Sequence, residues 1–137
     1  MRAKPFTRLA ANPAKRRTQL KRFLTNHAQQ FKMDFYFEGD GAARIYRGIL
    51  LGDVEDARKA FEQCDTKCCI GGGMWLLTGI QDKDTLRTLY KISSNDLFHQ
   101  YGWPTDLTDE YQEAMRVGDF EAATRVGIKA IDYFAVK

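Results

Sequence analysis

Three groups of residues in this chain bring reactive or charged side chains close together. The first is cationic. Lys15-Arg16-Arg17 and Lys21-Arg22 fall within about two helical turns, preceded by Arg2, Lys4 and Arg8. Such side chains neutralise phosphates and release condensed counterions, giving salt-sensitive, sequence-tolerant binding to DNA or RNA. The second group is Cys64-x3-Cys68-Cys69, followed at once by Ile70-Gly71-Gly72-Gly73. With His27 or His99 these cysteines could hold zinc, but structural zinc ordinarily takes a second closely spaced pair, which is missing. A Cys69 thiolate beside the free amides of a glycine run, with His99 as base, would make a nucleophile with an oxyanion hole. Nothing local supplies that base, so reduced, partly buried thiols are the simpler expectation. The third group comprises the carboxylate pairs Asp53/Asp56, Asp82/Asp84 and Asp109/Glu110. Each falls where a helix is expected to begin, and capping accounts for them without acid–base catalysis.

The glycine run is not a phosphate loop, because no Gly-Lys-Ser/Thr follows it and no G-x-G-x-x-G opens a helix after a strand. No catalytic residue, metal ligand or cofactor is assigned from the sequence. The charge is more informative in its distribution than in its sum. The 137 residues hold 21 Lys plus Arg and 18 Asp plus Glu, a formal +3. Residues 1–32 contain nine of the basic groups and no acidic one, leaving 12 basic and 18 acidic groups beyond, so +3 divides into +9 and −6. A basic segment joined to an acidic body implies a polyanionic partner, or a segment folded against its own body. An acidic protein partner, a solvated helix face and an Arg-rich transit presequence are the other readings of these residues.

The elements that must position these groups are mostly helical. Residues 1–12 carry Pro5 and show no sustained period, which predicts an extended basic arm. Asn12-Pro13 signals a helix start, since Asn can accept from an orphan amide and Pro has no N–H to leave unpaired. That helix is expected to run to about residue 30. Leu20, Phe23, Leu24, Ala28 and Phe31 form its apolar stripe, with Lys15, Arg16, Lys21 and Arg22 largely off it. From Phe31 to Glu38 strict alternation predicts a short strand, against a continuation of the helix through Phe31 and Phe35.

Two tight junctions follow. Ala43, Ile45, Tyr46, Ile49 and Leu50 lead to Gly52, and Asp53 caps a helix containing Val54, Ala57, Ala60 and Phe61. Near the C-terminus Thr108 is expected to cap a helix through Tyr111, Ala114 and Val117, Gly118 stops it, and Asp119 caps the next. Both junctions read apolar-Gly-Asp-apolar-Glu-x-Ala, which predicts two antiparallel helical hairpins. The pattern resembles the inter-helix turn of tetratricopeptide-like repeats. It covers about seven residues at each place, roughly 66 apart instead of the 34 of consecutive tetratricopeptide units, and no family assignment follows from it. Between the hairpins, Met74 to Thr78 reads as a buried strand or a helix start. Asp84 and Ser94 are candidate caps of short helices, and Gly102-Trp103-Pro104 is a break. Phe98, Tyr101 and Trp103 read as core aromatics.

Length fits one domain, and 44% hydrophobic with 12% aromatic residues excludes a disordered chain. Three clustered cysteines, an odd number, argue against a secreted disulfide scaffold and for a reducing, cytoplasmic setting. Apolar runs such as Met74 to Leu77 fall far short of the roughly 20 residues of a membrane span, so a small soluble protein with no membrane partner is expected. The expected fold is mainly α: a compact helical domain over 13–137, with two helix-turn-helix hairpins, room for one small β element, and a basic arm over 1–12. The expected function is non-enzymatic binding of nucleic acid, or of a nucleoprotein complex, through Arg2, Lys4, Arg8, Lys15, Arg16, Arg17, Lys21 and Arg22. The alternative is a protein-interaction module, an adaptor or inhibitor of the kind mobile elements encode, that binds another protein through its helical surface.

Overall fold

The computed structural model describes residues 8–33, 36–63, 66–98 and 102–136. Among them are α1 (Pro13–Asn26), β1 (Phe37–Gly39), α2 (Ala42–Leu50), α3 (Val54–Gln63), β2 (Thr66–Cys68), α4 (Ile70–Thr78), α5 (Lys83–Tyr90), α6 (Thr105–Arg116) and α7 (Phe120–Phe134). The protein is mainly α-helical, with one two-stranded sheet.

Helix α1 starts where the sequence predicts. Asn12 is extended and its Oδ1 accepts from the Lys15 amide at 2.9 Å, while Pro13 occupies the first turn. It ends earlier than predicted, because His27 leaves the helical region and Ala28–Gln30 form a 3₁₀ turn. Leu20, Phe23 and Leu24 are its buried face. The strand expected over 31–38 is smaller in the structure. Phe37, Glu38 and Gly39 pair antiparallel with Cys68, Lys67 and Thr66, and Phe31 makes an isolated parallel bridge to Cys68. Between them the Met33 amide donates to the Tyr111 hydroxyl at 2.8 Å, so a buried side chain takes the place of a ladder partner. Residues 34 and 35 lie outside the described residues.

Both hairpins form, and they close by the same hydrogen bonds. Gly52 and Gly118 are left-handed, at φ +79 and +73. The Asp53 amide reaches back to the Gly48 carbonyl at 2.7 Å and the Asp119 amide to the Ala114 carbonyl at 2.8 Å. This six-to-one bond with a glycine at C′ is the Schellman arrangement. Each Asp then turns its side chain forward to cap the next helix, accepting from the amides of Asp56 at 3.1 Å and Ala122 at 3.0 Å. The likeness of the two sequence segments is therefore a likeness of backbone bonding.

Two predicted helix starts are displaced. Helix α6 begins at Thr105, with Pro104 preceding it, and Thr108 lies one turn inside, its amide bonded to the Pro104 carbonyl. Asp109 and Glu110 consequently sit in mid-helix and cap nothing. Asp82, not Asp84, caps α5, because its carboxylate accepts from both the amide and the hydroxyl of Thr85, at 2.9 and 2.7 Å. Asp84 instead pairs with Arg87 one turn on.

Met74 to Thr78 is helical, and the helix includes the glycines before it. Every residue of α4 from Ile70 to Met74 is buried. A side chain at Gly71 would stand 2.6 Å from the Tyr36 ring, and one at Gly73 3.2 Å from Phe23. At Gly72 it would overlap the Tyr36 carbonyl oxygen. Glycine is needed here for close approach, and none of the three adopts positive φ. Beside them Tyr36 stacks on Trp75 with ring centroids 4.2 Å apart, and Phe37 and Tyr46 complete an aromatic group that composition alone did not assemble. Phe98 and Trp103 are buried, as expected of core aromatics; Tyr101 lies outside the described residues.

The glycines of α4 and of the hairpin turns should respond differently to alanine. Gly72→Ala meets fixed backbone and is expected to cost about 3 kcal/mol or more, at the upper end of overpacking. Gly52→Ala meets nothing within 4 Å and should cost only the left-handed conformation, about 1–2 kcal/mol. Urea unfolding midpoints measure both, and equal losses would contradict the packing described.

Candidate nucleic-acid interface

The predicted cationic residues divide into three sets in the structure. Arg2 and Lys4 lie outside the described residues. Arg8, Lys15 and Arg22 are exposed, and none makes a side-chain hydrogen bond or ion pair among the described residues. Lys15 and Arg22 are seven positions apart, two turns along one face of α1, with exposed Thr18 between them.

Arg16, Arg17 and Lys21 are engaged within the protein. Helix α5 ends at Tyr90, and Lys91 turns left-handed, at φ 51. The last turn of any helix leaves four carbonyls without helical partners. Here each is satisfied. The Ile92 amide donates to the Arg87 carbonyl at 2.9 Å and the Lys91 amide to that of Thr88 at 3.3 Å. Arg16 Nη1 donates to the Leu89 carbonyl at 3.0 Å, and Arg17 Nη1 to the Tyr90 carbonyl at 2.7 Å. Guanidinium groups are well suited to this place, since the helix dipole is negative there. Arg16 also donates to the carbonyls of Ala10 and Ala11, at 2.9 and 3.1 Å. Lys21 pairs with Asp132 of α7 at 2.8 Å.

The described part of the arm lies against α1. Gln19 Nε2 donates to the Arg8 carbonyl at 2.8 Å, and Gln19 Oε1 accepts from the Ala10 amide at 3.0 Å. Residues 8–11 are thus tied down by Gln19 and Arg16, a contact that the spacing of basic residues did not suggest. Sequence reasoning also missed that Arg16 and Arg17 cap α5. Their acceptors are 73 positions away, and no local pattern encodes such a pairing.

At the far end of α1, His27 packs between Phe23 and Phe61, with centroids 4.7 and 5.4 Å away. Gln30 Nε2 donates to the carbonyls of Phe61 and Thr66, both at 3.0 Å, which leaves Gln30 Oε1 facing His27 Nδ1 at 3.2 Å. Nδ1 therefore carries the proton of the neutral ring. Burial lowers the His27 pKa, with the Gln30 bond and Glu62 opposing.

Cys68 and Cys69 are free and buried; Cys64 and His99 lie outside the described residues. Cys69 precedes α4 and its sulfur accepts from the Gly72 amide at 3.3 Å. Burial pushes its thiol up to about 11, although the helix amides pull it down. The thiol is thus protonated at neutral pH and directed at its own helix. Among the described residues no cluster of three His, Cys, Asp or Glu is placed to hold a metal ion, and no helix is long and apolar enough to cross a membrane.

Comparisons with protein-family models, curated proteins and solved structures find no match. The residues and their geometry alone carry the functional reading.

Three outcomes follow. Arg16→Met combined with Arg17→Met leaves the Leu89 and Tyr90 carbonyls without donors and should lower stability by about 2–4 kcal/mol, from roughly 1.5–3 per charged hydrogen bond reduced for partial exposure. Arg8→Gln, Lys15→Gln and Arg22→Gln should leave the thermal midpoint within about a degree. For His27 the folded pKa lies below the unfolded value, so the unfolded state takes up the proton first as pH falls. Stability should therefore drop as pH falls below about 6.5, and thermal midpoints of His27→Gln measured from pH 7.5 to 5 should lack that component.

Proposed function

We propose that this protein binds nucleic acid without sequence preference, through Arg8, Lys15 and Arg22, with Arg2 and Lys4 of the basic N-terminal sequence as further phosphate contacts. The observation that carries this reading is the free set of cations: Arg8, Lys15 and Arg22 stand in solvent with no carboxylate paired to them among the described residues. Arg16 and Arg17 are withdrawn from the contact surface, because their guanidinium groups hold helix α5. Their role is to fix the orientation of α1, which keeps Lys15 and Arg22 facing outward, while Gln19 holds the Arg8 backbone against the helix. Lys21 belongs to neither set completely, since an exposed ion pair such as that with Asp132 is worth about 1 kcal/mol or less and yields readily to phosphate.

No groove-reading helix is needed for this activity. Cations spaced along one helix face follow a phosphate backbone by charge, with no base contact, and duplex and single-stranded DNA or RNA are all admissible partners. Glutamate and aspartate are absent from the first 32 residues, so no carboxylate of that segment repels a polyanion.

A salt titration tests both the function and the division of the cations. Five phosphate contacts predict a slope of log K against log salt near about −4.5 on duplex DNA, whereas all eight predicted residues would give about −7. Replacing Arg8, Lys15 and Arg22 by Gln should flatten the slope by about 3 without unfolding the protein. Absence of binding to unrelated DNA and RNA at low salt would refute the reading and leave an acidic protein as the partner of this face.

A further inference from the structure

The most exposed large apolar residues lie away from α1. Leu50 and Leu51, each 74% exposed, stand at the tip of the α2–α3 hairpin. Arg47, also exposed, is on the same face at positions three and four before them. The acidic groups of the tip are already engaged: Asp53 caps α3, and Glu55 pairs with Arg58 at 2.7 Å. The tip therefore presents two leucines beside Arg47, which makes no direct ion pair among the described residues; the nearby Asp56 is paired with Arg44 and feels the Arg47 charge only at longer range.

The other hairpin presents the complement. A groove of about 710 Å³ runs between α6 and α7. Its floor is small and apolar, with Ala114, Val117, Ala122 and Val126. Five carboxylates and only two cations line it. Lys129 neutralises Glu110 at 3.2 Å and Arg116 pairs with Glu113, but Asp106 and Asp109 have no ion pair among the described residues. Val117, at the open end, is 59% exposed.

We propose that the α2–α3 tip of one copy of this chain seats in the α6–α7 groove of a second copy. Leu50 and Leu51 cover the apolar floor, and Arg47 meets the carboxylates of Asp106 and Asp109. A second copy is the occupant because knob and groove match in both polarity and charge and are carried by the same chain. The leucines stand in solvent within the folded molecule, so they do not fill their own groove. Since the two surfaces differ, the contact is head to tail and leaves a free tip and a free groove at the ends, which permits growth beyond a dimer. The patch is far smaller than the roughly 1,200 Å² of a stable interface, so association is weak and in fast exchange, at hundreds of micromolar. Neither surface includes Arg8, Lys15 or Arg22, so the inference stands apart from nucleic-acid binding.

Sedimentation equilibrium of the full chain from about 10 µM to about 1 mM tests it. The expected result is a mass that rises with concentration past that of a dimer. Leu50→Ser with Leu51→Ser, and separately Val117→Lys with Asp109→Lys, should each remain monomeric; all four positions are exposed. Mixing the two variants should restore a one-to-one dimer that grows no further, because one intact tip meets one intact groove. Monomeric wild type at the highest concentration overturns the proposal, as does association that survives either pair of changes. A tip variant that abolishes association without rescue on mixing also overturns it, since that points to tip-on-tip contact. Concentration-dependent amide shifts in the wild-type protein give a readout free of substitutions, expected at residues 47–52 and along α6 and α7 together; shifts at one surface without the other count against it.

Discussion

The first turn of α4 has no side chains beyond Ile70, and the surrounding elements are built against its bare backbone. Tyr36 lies on Gly71 and Gly72, while Leu20 and Phe23 of α1 lie on Gly73. Three helical glycines cost about 3 kcal/mol relative to alanine, a penalty that burial of one large apolar side chain can offset at about 1.5–3 kcal/mol. The seat on Gly73 also sets the rotation of α1. With Leu20 and Phe23 inward, Arg16 and Arg17 point to α5, and Lys15, Thr18 and Arg22 point to solvent. The charge presented on the outer face of α1 is thus a consequence of glycine in another helix.

Arginine has a recurrent structural task in this protein. Arg16 and Arg17 of α1 close the end of α5. Arg58 of α3 does the same for α4, donating to the carbonyls of Leu76 and Leu77 at 2.7 and 3.1 Å. In each case a cation on one helix satisfies the carbonyl end of a neighbour, where hydrogen bonding and the helix dipole act together. A count of basic residues therefore overstates the charge available to a partner.

The sequence made legible what is local. Asn12-Pro13 marked a helix start, and the two Gly-Asp junctions marked two hairpins, because caps and left-handed turns are encoded within a few residues. Where local candidates competed, reach decided one case and not the other: Asp82 caps α5 because its carboxylate reaches the Thr85 amide although Asp84 is also acidic, whereas α6 starts after Pro104 with no side-chain cap and bypasses Thr108. The helical state of Gly71 to Gly73 was illegible, since it depends on what lies against the backbone from elsewhere in the chain. The candidate site was legible in part for the same reason. Periodicity located the basic face of α1, but the distinction between Arg16 or Arg17 and Lys15 or Arg22 rests on carbonyls 73 positions away.

That separation also orders the folding of the chain. An eight-residue helix such as α5 is marginal by itself, and its last carbonyls obtain donors only when α1 has docked. Beyond α5, Ile92 bridges to Ala135, the Ser93 amide donates to the Phe134 carbonyl and the Val136 amide to that of Lys91. The last turn of α7 and the residues after it thus stitch the segment that α1 caps from the other side. During synthesis the hairpin of α2 and α3 can close on its own emergence from the ribosome, whereas the arginines of α1 stay solvated until α5, 73 positions on, has followed them.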